Sequence, residues 1–322
     1  MRFTGKLLTA GLAVGGALGA LSIFNRMTES MAGELDTVLK GEERRYPWKD
    51  GDMYYQVKGA REARPLLLIH SFGPGASSYE WRKNVDALAE QFRVYTIDLM
   101  GFGLSDHPTI DYTAETFADL IGDFIKEAIG KPTIVVAHGL TCAYVIANAY
   151  RHPRLFERLI LVAPPGVILQ EPVLGPLNVA WKTALRLPII GQFIYNLLTS
   201  RQAIRSYYEN QGYHNPNLIY DELVEYIYTS AHQPNSRYPM ASFASDYLTM
   251  NVQEPLARLQ VPVIILWGRE GLTSSTAMND VFKRVNPRID VRMLDKCSFE
   301  LQDEQAASFN NLVKEFAVAR AV

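Results

Sequence analysis

Cysteine is scarce in this chain, with 2 in 322 residues, too few for a disulfide-stapled scaffold and too few to name a redox compartment. Neither sign of charge is in excess, with 32 Lys+Arg against 34 Asp+Glu and a net charge of −2. Phosphate-backbone binders need a basic surplus, so nucleic acid is not expected as a partner. Repeats and low-complexity linkers are missing, and no His/Cys/Asp cluster shows a metal-ligand spacing or a cofactor motif. Neither metal nor cofactor is expected. Histidine is short in a particular way: there are 6, and none lies beyond His232.

What remains is an ordinary globular composition, 48% hydrophobic, with one departure. Leu7 to Phe24 is a run of 18 residues without a charge. As a helix it spans about 27 Å, close to the roughly 30 Å of a hydrocarbon core. Arg2 and Lys6 precede it, while Arg26, Glu29, Glu34 and Asp36 follow. The positive-inside bias places the N-terminus in the cytoplasm and the body on the far side. Ala17-Leu18-Gly19 is a mediocre cleavage site, so residues 1–30 read as an uncleaved single-pass anchor rather than a cleaved signal. Gly11, Gly15 and Gly19 share a helical face that suits a second membrane helix, although Gly/Ala-rich runs also produce this spacing by chance. In an exported body, Cys142 and Cys297 would be free to pair.

After the charged stretch Glu42–Arg45, short β-rich runs alternate with helical patterns. Met53–Lys58, Pro65–Ile69, Arg93–Asp98, Pro132–Ala137 and Leu159–Ala163 are nearly all continuous in apolar residues, as buried parallel strands are. Phe117, Leu120, Ile121, Phe124, Ile125 and Ala128 recur at helical spacing. This alternation implies an α/β fold, a mostly parallel doubly wound sheet with helices on both faces. From 165 to 256 the strand rhythm stops, and nine of the 17 tyrosines fall there together with Trp181. A helical insertion of this kind suggests a lid, even if many of its aromatics must form its own core. Strand patterns return at Val261–Gly268 and Ile289–Leu294, and a last amphipathic helix follows Asp303. The chain is thus expected to divide into an anchor (1–30), a first core part (45–164), a lid (165–256) and a second core part (257–322).

The segments Leu66–His70, Tyr95–Asp106, Leu159–Ala163 and Ile264–Gly268, in that order around a lid, resemble the α/β-hydrolase family across residues 45 to 320. The resemblance implies an eight-stranded sheet. Trp81–Asn84 and Gly101–Asp106 look most like the cyanobacterial and chloroplast branch, which includes hydrolases of phytyl and other lipid esters. In active members a nucleophile sits on a sharp G-x-S-x-G turn, an acid follows the next-to-last strand, and a histidine follows the last. At these places this chain has Gly139 within Ala137-His138-Gly139-Leu140-Thr141, Gly271 after Trp267-Gly268, and Phe299, or Ser298 in a register shifted by one. Each role needs its own side-chain chemistry, and all three positions lack it. Glycine at the elbow also relaxes the strain that a side chain suffers there.

Neighbouring groups offer substitutes. Cys142 stands at the start of the helix after the elbow, where a thiol pKa is lowered, though a buried core cysteine is the commoner arrangement. His138 precedes the elbow, at a family position that packs away from the nucleophile. Glu270 lies one residue before the acid position, with no histidine to orient. Ser105 and His107 read as solvated loop residues, and Thr141 as a capping or packing residue. By resemblance, His70 and Ser71 lie on the loop that supplies an oxyanion-hole amide, and Leu140 supplies the other. With Trp181 of the lid they form the expected binding site for an apolar, lipid-like ligand. Three functions remain open: a pseudo-hydrolase that binds such a ligand or a protein partner, an active ester or lipid-ester hydrolase with a non-standard site, and an accessory subunit of a membrane complex.

Overall fold

The computed structural model describes residues 2–271 and 276–319, and side chains from residue 15 onward except those of 167, 276 and 277. Eight strands form one sheet: β1 (Glu42–Trp48), β2 (Gly51–Lys58), β3 (Arg64–Ile69), β4 (Phe92–Ile97), β5 (Thr133–His138), β6 (Phe156–Val162), β7 (Val263–Gly268) and β8 (Asp290–Leu294). Their order is β1-β2-β4-β3-β5-β6-β7-β8. The first two are antiparallel to their neighbours, and the rest run parallel. The expected α/β class and mostly parallel eight-stranded sheet are what the structure has.

β1 adds to the sequence reading, which placed the first strand pattern after the charged stretch Glu42–Arg45. These four residues are exposed on a strand at the sheet edge and pair with Tyr54–Val57 of β2. Charged side chains on an edge strand discourage further pairing, so charge masks the strand from a hydropathy pattern. The central strands are buried along almost their whole length.

The helices flank this sheet. They are α1 (Arg2–Ala32), α2 (Val85–Ala89), α3 (Ala114–Phe124), α4 (Thr141–Arg151), α5 (Pro176–Arg186), α6 (Ile190–Leu198), α7 (Arg201–Tyr207), α8 (Asp221–Ala231), α9 (Arg237–Phe243), α10 (Gln253–Arg258), α11 (Thr276–Val285), α12 (Leu301–Glu304) and α13 (Ala306–Val318). Helix α3 begins where the Thr113 side chain accepts the Thr116 N–H and buries Phe117, Leu120, Ile121 and Phe124. Helices α5 to α10 lie between β6 and β7 and include the aromatic insertion.

Among the described residues no helix is long and apolar enough to cross a membrane. The anchor reading falls partly on Leu7–Val14, and the docking face partly on Gly11, whose side chains lie outside that description. The second half of α1 has an unexpected role, because it is tied to the lid. Asn25, 6% exposed, donates to the Ile189 carbonyl at 3.0 Å and accepts from Asn196 at 3.1 Å. Phe24 meets Phe193 edge to face at 5.3 Å, and Thr229 donates to the Ala32 carbonyl.

Candidate functional site: an elbow and a lid cavity

β5 ends at His138, and the chain turns at Gly139 into α4. Gly139 has φ +61, a left-handed conformation that glycine adopts without a Cβ penalty. A Cβ placed on it would stand 3.1 Å from Cζ of Phe299 and 3.3 Å from Cβ of Ser71. The strand-turn-helix elbow is therefore present. Phe299, in the loop after β8, lies over it, so two of the positions the resemblance singled out meet in space. Gly271 follows β7 and borders the undescribed residues 272–275.

The titratable groups stand one step away. Glu80 is on a short 3₁₀ turn (Ser78–Trp81) that Ser77 caps. One of its carboxylate oxygens accepts both the backbone N–H (2.9 Å) and the hydroxyl (3.0 Å) of Ser71. The other faces Nδ1 of His138 at 2.8 Å. His138 is fully buried, and its Nε2 points at the Phe299 carbonyl at 3.1 Å. With an acceptor at each nitrogen the ring is held as imidazolium. Burial alone would lower the His138 pKa, but the Glu80 carboxylate beside it raises it. Burial opposes ionisation of Glu80 as well, yet His138 and the Ser71 amide hold it below the usual carboxylate range. Glu300 completes the group and accepts from Gln302 at 2.8 Å. Burial pushes its carboxyl up to about 8, with His138 acting against the shift and Glu80 and Asp303 adding to it. Metal-ligand atoms of Glu80, His138 and Glu300 lie within 4.8 Å of one another. Both imidazole nitrogens are committed to protein acceptors, however, which leaves no lone pair for a cation.

Above this group the lid encloses a cavity of about 180 Å³. Its floor is Ser71, Glu80 and Glu300, and its walls include Tyr79, Ile204, Tyr207, Tyr208, Tyr213, Leu223 and Ile227. Arg82 also lines it, but its charge is matched by Asp303, and its guanidinium lies 4.4 Å over the Tyr79 ring. Asp303 also takes Lys83 and the Tyr213 hydroxyl.

The expected binding residues separate in space. Ser71 lines the cavity, but its N–H is already held by Glu80. His70 is fully buried, accepts the Leu99 N–H, and has its pKa lowered mainly by burial. Leu140 caps α4 outside the cavity lining, and its side chain is buried. Trp181 is 50% exposed on α5 and does not line the cavity. Among the substitutes, Cys142 is fully buried and donates to the Ala137 carbonyl, and burial pushes its thiol far up, opposite to an activated nucleophile. Cys142 and Cys297 are both free and buried, so the pairing considered from sequence is not made. Glu270 is exposed and accepts the Cys297 N–H. Ser105 and His107 are not solvated loop residues. Ser105 is buried and links Tyr54 to Asp98, while His107 contacts the Pro234 and Gly103 carbonyls. Thr141 donates to the His70 carbonyl at 2.7 Å.

Sequence reasoning missed Glu80 and Glu300 as parts of a site. The only local signal was an acid inside the aromatic run Tyr79-Glu80-Trp81, which says nothing of the histidine 58 residues away.

A mostly parallel sheet with a strand-turn-helix elbow under a helical insertion defines the class of lidded hydrolase-fold proteins. The model of the alpha/beta hydrolase family matches residues 66–299, and the chain belongs to that family. An uncharacterised protein of Mycobacterium bovis is 31% identical over 141 residues, which is 42% of this chain and 40% of that protein. The chain thus matches well under half the length of this relative. A (lyso)-N-acylphosphatidylethanolamine lipase of Bos taurus is 25% identical over 281 residues, 79% of each chain. A solved meta-cleavage product hydrolase from Pseudomonas fluorescens IP01 has a TM-score of 0.67 at 25% identity and covers 84% of this chain and 96% of its own.

Proposed function

We propose that this protein holds an apolar, lipid-like ligand in the lid cavity and no longer runs Ser-His-Asp chemistry. The observation that carries the reading is the Phe299 ring, 3.1 Å from where a side chain on Gly139 would begin. The reacting centre of an active relative is packed at this point, while the cavity beside it stays open. A nucleophile, a base and an orienting acid act as a unit, and the loss of one costs nearly as much as the loss of all. In this reading the Glu80–His138 pair is a structural floor. It occupies Ser71 N–H, the family's oxyanion-hole position, with the protein's own carboxylate. Leu7–Phe24 attaches the chain to a membrane, with the N-terminus cytoplasmic and the body extracytoplasmic.

The test has two arms: native mass spectrometry of detergent-purified full-length protein, and incubation with a fluorophosphonate probe and ester substrates. Co-purified lipid with neither labelling nor turnover supports the reading. Ester turnover abolished by Glu80→Gln overturns it in favour of the second reading, an active hydrolase. Two observations favour that alternative: one similar protein is named a lipase and one a hydrolase, and Glu80, paired with His138, lines the cavity. An accessory role in a membrane complex has less support. Apart from the surrounding turns of α1 itself, no described atom lies within 4 Å of a Cβ built on Gly15 or Gly19, so that face has room for a partner helix. Co-purification of a stoichiometric protein, lost when both glycines become Leu, would favour it.

A further inference from the structure

Large exposed apolar side chains are unevenly spread over the molecule. Phe24 and Met27 project from α1, Leu177 and Trp181 from α5, and Leu197 and Leu198 from α6, with Leu177 79% and Leu198 57% exposed. Helix α6 packs against both α1 and α5, so these side chains belong to adjoining helices. A concentration of this kind is uncommon on a monomer's water-facing surface and marks an interaction face.

We propose that this face of α1, α5 and α6 rests on a lipid bilayer, with Trp181 in the interfacial zone and the lid cavity opening toward the lipid beside Leu198. The inference rests on the reading of Leu7–Phe24 as membrane-embedded and deepens the reading of the cavity as a lipid site. Three observations select a bilayer over a protein partner or a second copy. Helix α1 runs directly from the face into the uncharged stretch, so a membrane that holds the one meets the other. Residues 172–208 contain no Asp or Glu, and their cations Lys182, Arg186, Arg201 and Arg205 are held by Asp111, Glu225 and Asp221. No acid within this stretch repels an anionic headgroup layer. Leu198 is both half-exposed on the face and part of the cavity lining, which joins the site to the surface an apolar ligand would leave.

The molecule carries its own reporter. Trp48, Trp81 and Trp267 are 8%, 0% and 0% exposed, and Trp181 is 50% exposed. In full-length protein reconstituted into vesicles of phosphatidylcholine and phosphatidylglycerol, Trp181 emission should shift to the blue. Lipids with a nitroxide just below the headgroup should quench it at least about twofold more than the remaining tryptophans of Trp181→Phe. Leu177→Glu, a change at an exposed position, should remove most of this quenching with an unchanged far-UV circular dichroism spectrum. Flotation with the vesicles but no quenching of Trp181 overturns the docking and leaves the anchor standing. A chain that does not float overturns the anchor and the docking together. A blue-shifted Trp181 that is present without lipid and grows with protein concentration shows that a second copy covers the face, and also overturns the proposal.

Discussion

The elbow and the lid cavity share Ser71, and on its two sides they are opposite environments. On the elbow side Ser71 faces Gly139 and the Phe299 ring, positions with no titratable group and little space. On the cavity side it binds Glu80, and Glu80, His138 and Glu300 gather ionisable chemistry under an aromatic roof. The two positions a motif search inspects first thus carry no titratable side chain, and of the charged group beside them the motif marks only His138. The difference teaches that the elbow's shape needs no nucleophile, because the turn is set by strand β5, a glycine at φ +61 and helix α4.

The largest test of this contrast removes one member of the buried pair. Glu80→Ala leaves the Ser71 amide unmatched and deprives His138 of the charge that keeps it ionised, and His138→Ala strands Glu80. Breaking a buried pair on one side costs about 3–5 kcal/mol, so urea unfolding of either variant should show a loss of that size. A loss below about 1 kcal/mol, the range of a surface pair, would mean that the cavity floor is not held together by this charge pair.

A smaller effect comes from Glu300. Its folded-state pKa, about 8, lies above the ordinary 4.5, so the folded protein binds the extra proton between these values. Its contribution to stability is then fully present below about pH 4.5 and declines as pH rises through about 8. His138, also raised in the fold, acts in the same direction. One group in this window gives a slope of about 1.4 kcal/mol per pH unit, or roughly 3 kcal/mol between pH 5 and pH 7. Chemical denaturation across that range should show the decline in the parent and a much flatter profile in Glu300→Gln. An equal slope in both would remove Glu300 from the charged floor.

These residues also show what the sequence made legible. The central strands announced themselves because each is buried on both faces, whereas Gly139 and Phe299, or Ser298, were reached only through the family resemblance. Glu42–Arg45 hid a strand because an edge is free to be charged. Trp181 suggested a ligand contact because it belongs to the lid, but its side of α5 faces outward, and which side of a lid helix is inward depends on what it packs against. Glu80 and Glu300 were unreadable for a related reason. A carboxylate becomes a buried ion partner only through residues distant in sequence, here 58 residues from Glu80 to His138. Likewise the link from Asn25 to Asn196 spans 171 residues, and it packs the end of α1 onto the helical insertion in a way no local pattern announces.

Rebuilding the elbow is a third, milder perturbation. Gly139→Ser puts a side chain at φ +61, which costs about 1–2 kcal/mol for a non-glycine residue. Its Cβ would stand at the tight distance from Phe299 already described. We expect a thermal unfolding midpoint lowered by a few degrees and no ester hydrolysis, because the restored hydroxyl has Phe299 rather than a base beside it. Hydrolysis by the single variant would mean that His138 or Glu80 reaches the elbow, and the separation between the two sides of Ser71 would fail.

The smallest expected effect concerns the thiols, and it separates the same two environments by reactivity. Cys142 is the second residue of α4, three beyond Gly139, a location where a helix N-terminus ordinarily favours thiolate. Burial dominates instead: the residue has no exposed surface, its sulfur donates to the Ala137 carbonyl at 3.1 Å, and the thiol is shifted upward. Cys297, with a pKa pushed up to about 12, is equally hidden. Thiol exchange proceeds through thiolate and needs access, so a disulfide reagent at neutral pH should label neither residue in the folded protein and both after unfolding. Cys142→Ala should leave ligand retention unchanged within error. Rapid native labelling confined to Cys142 would show that the elbow opens to solvent and retains a nucleophile, which would return the catalytic reading to the side of Ser71 that the Phe299 ring now closes.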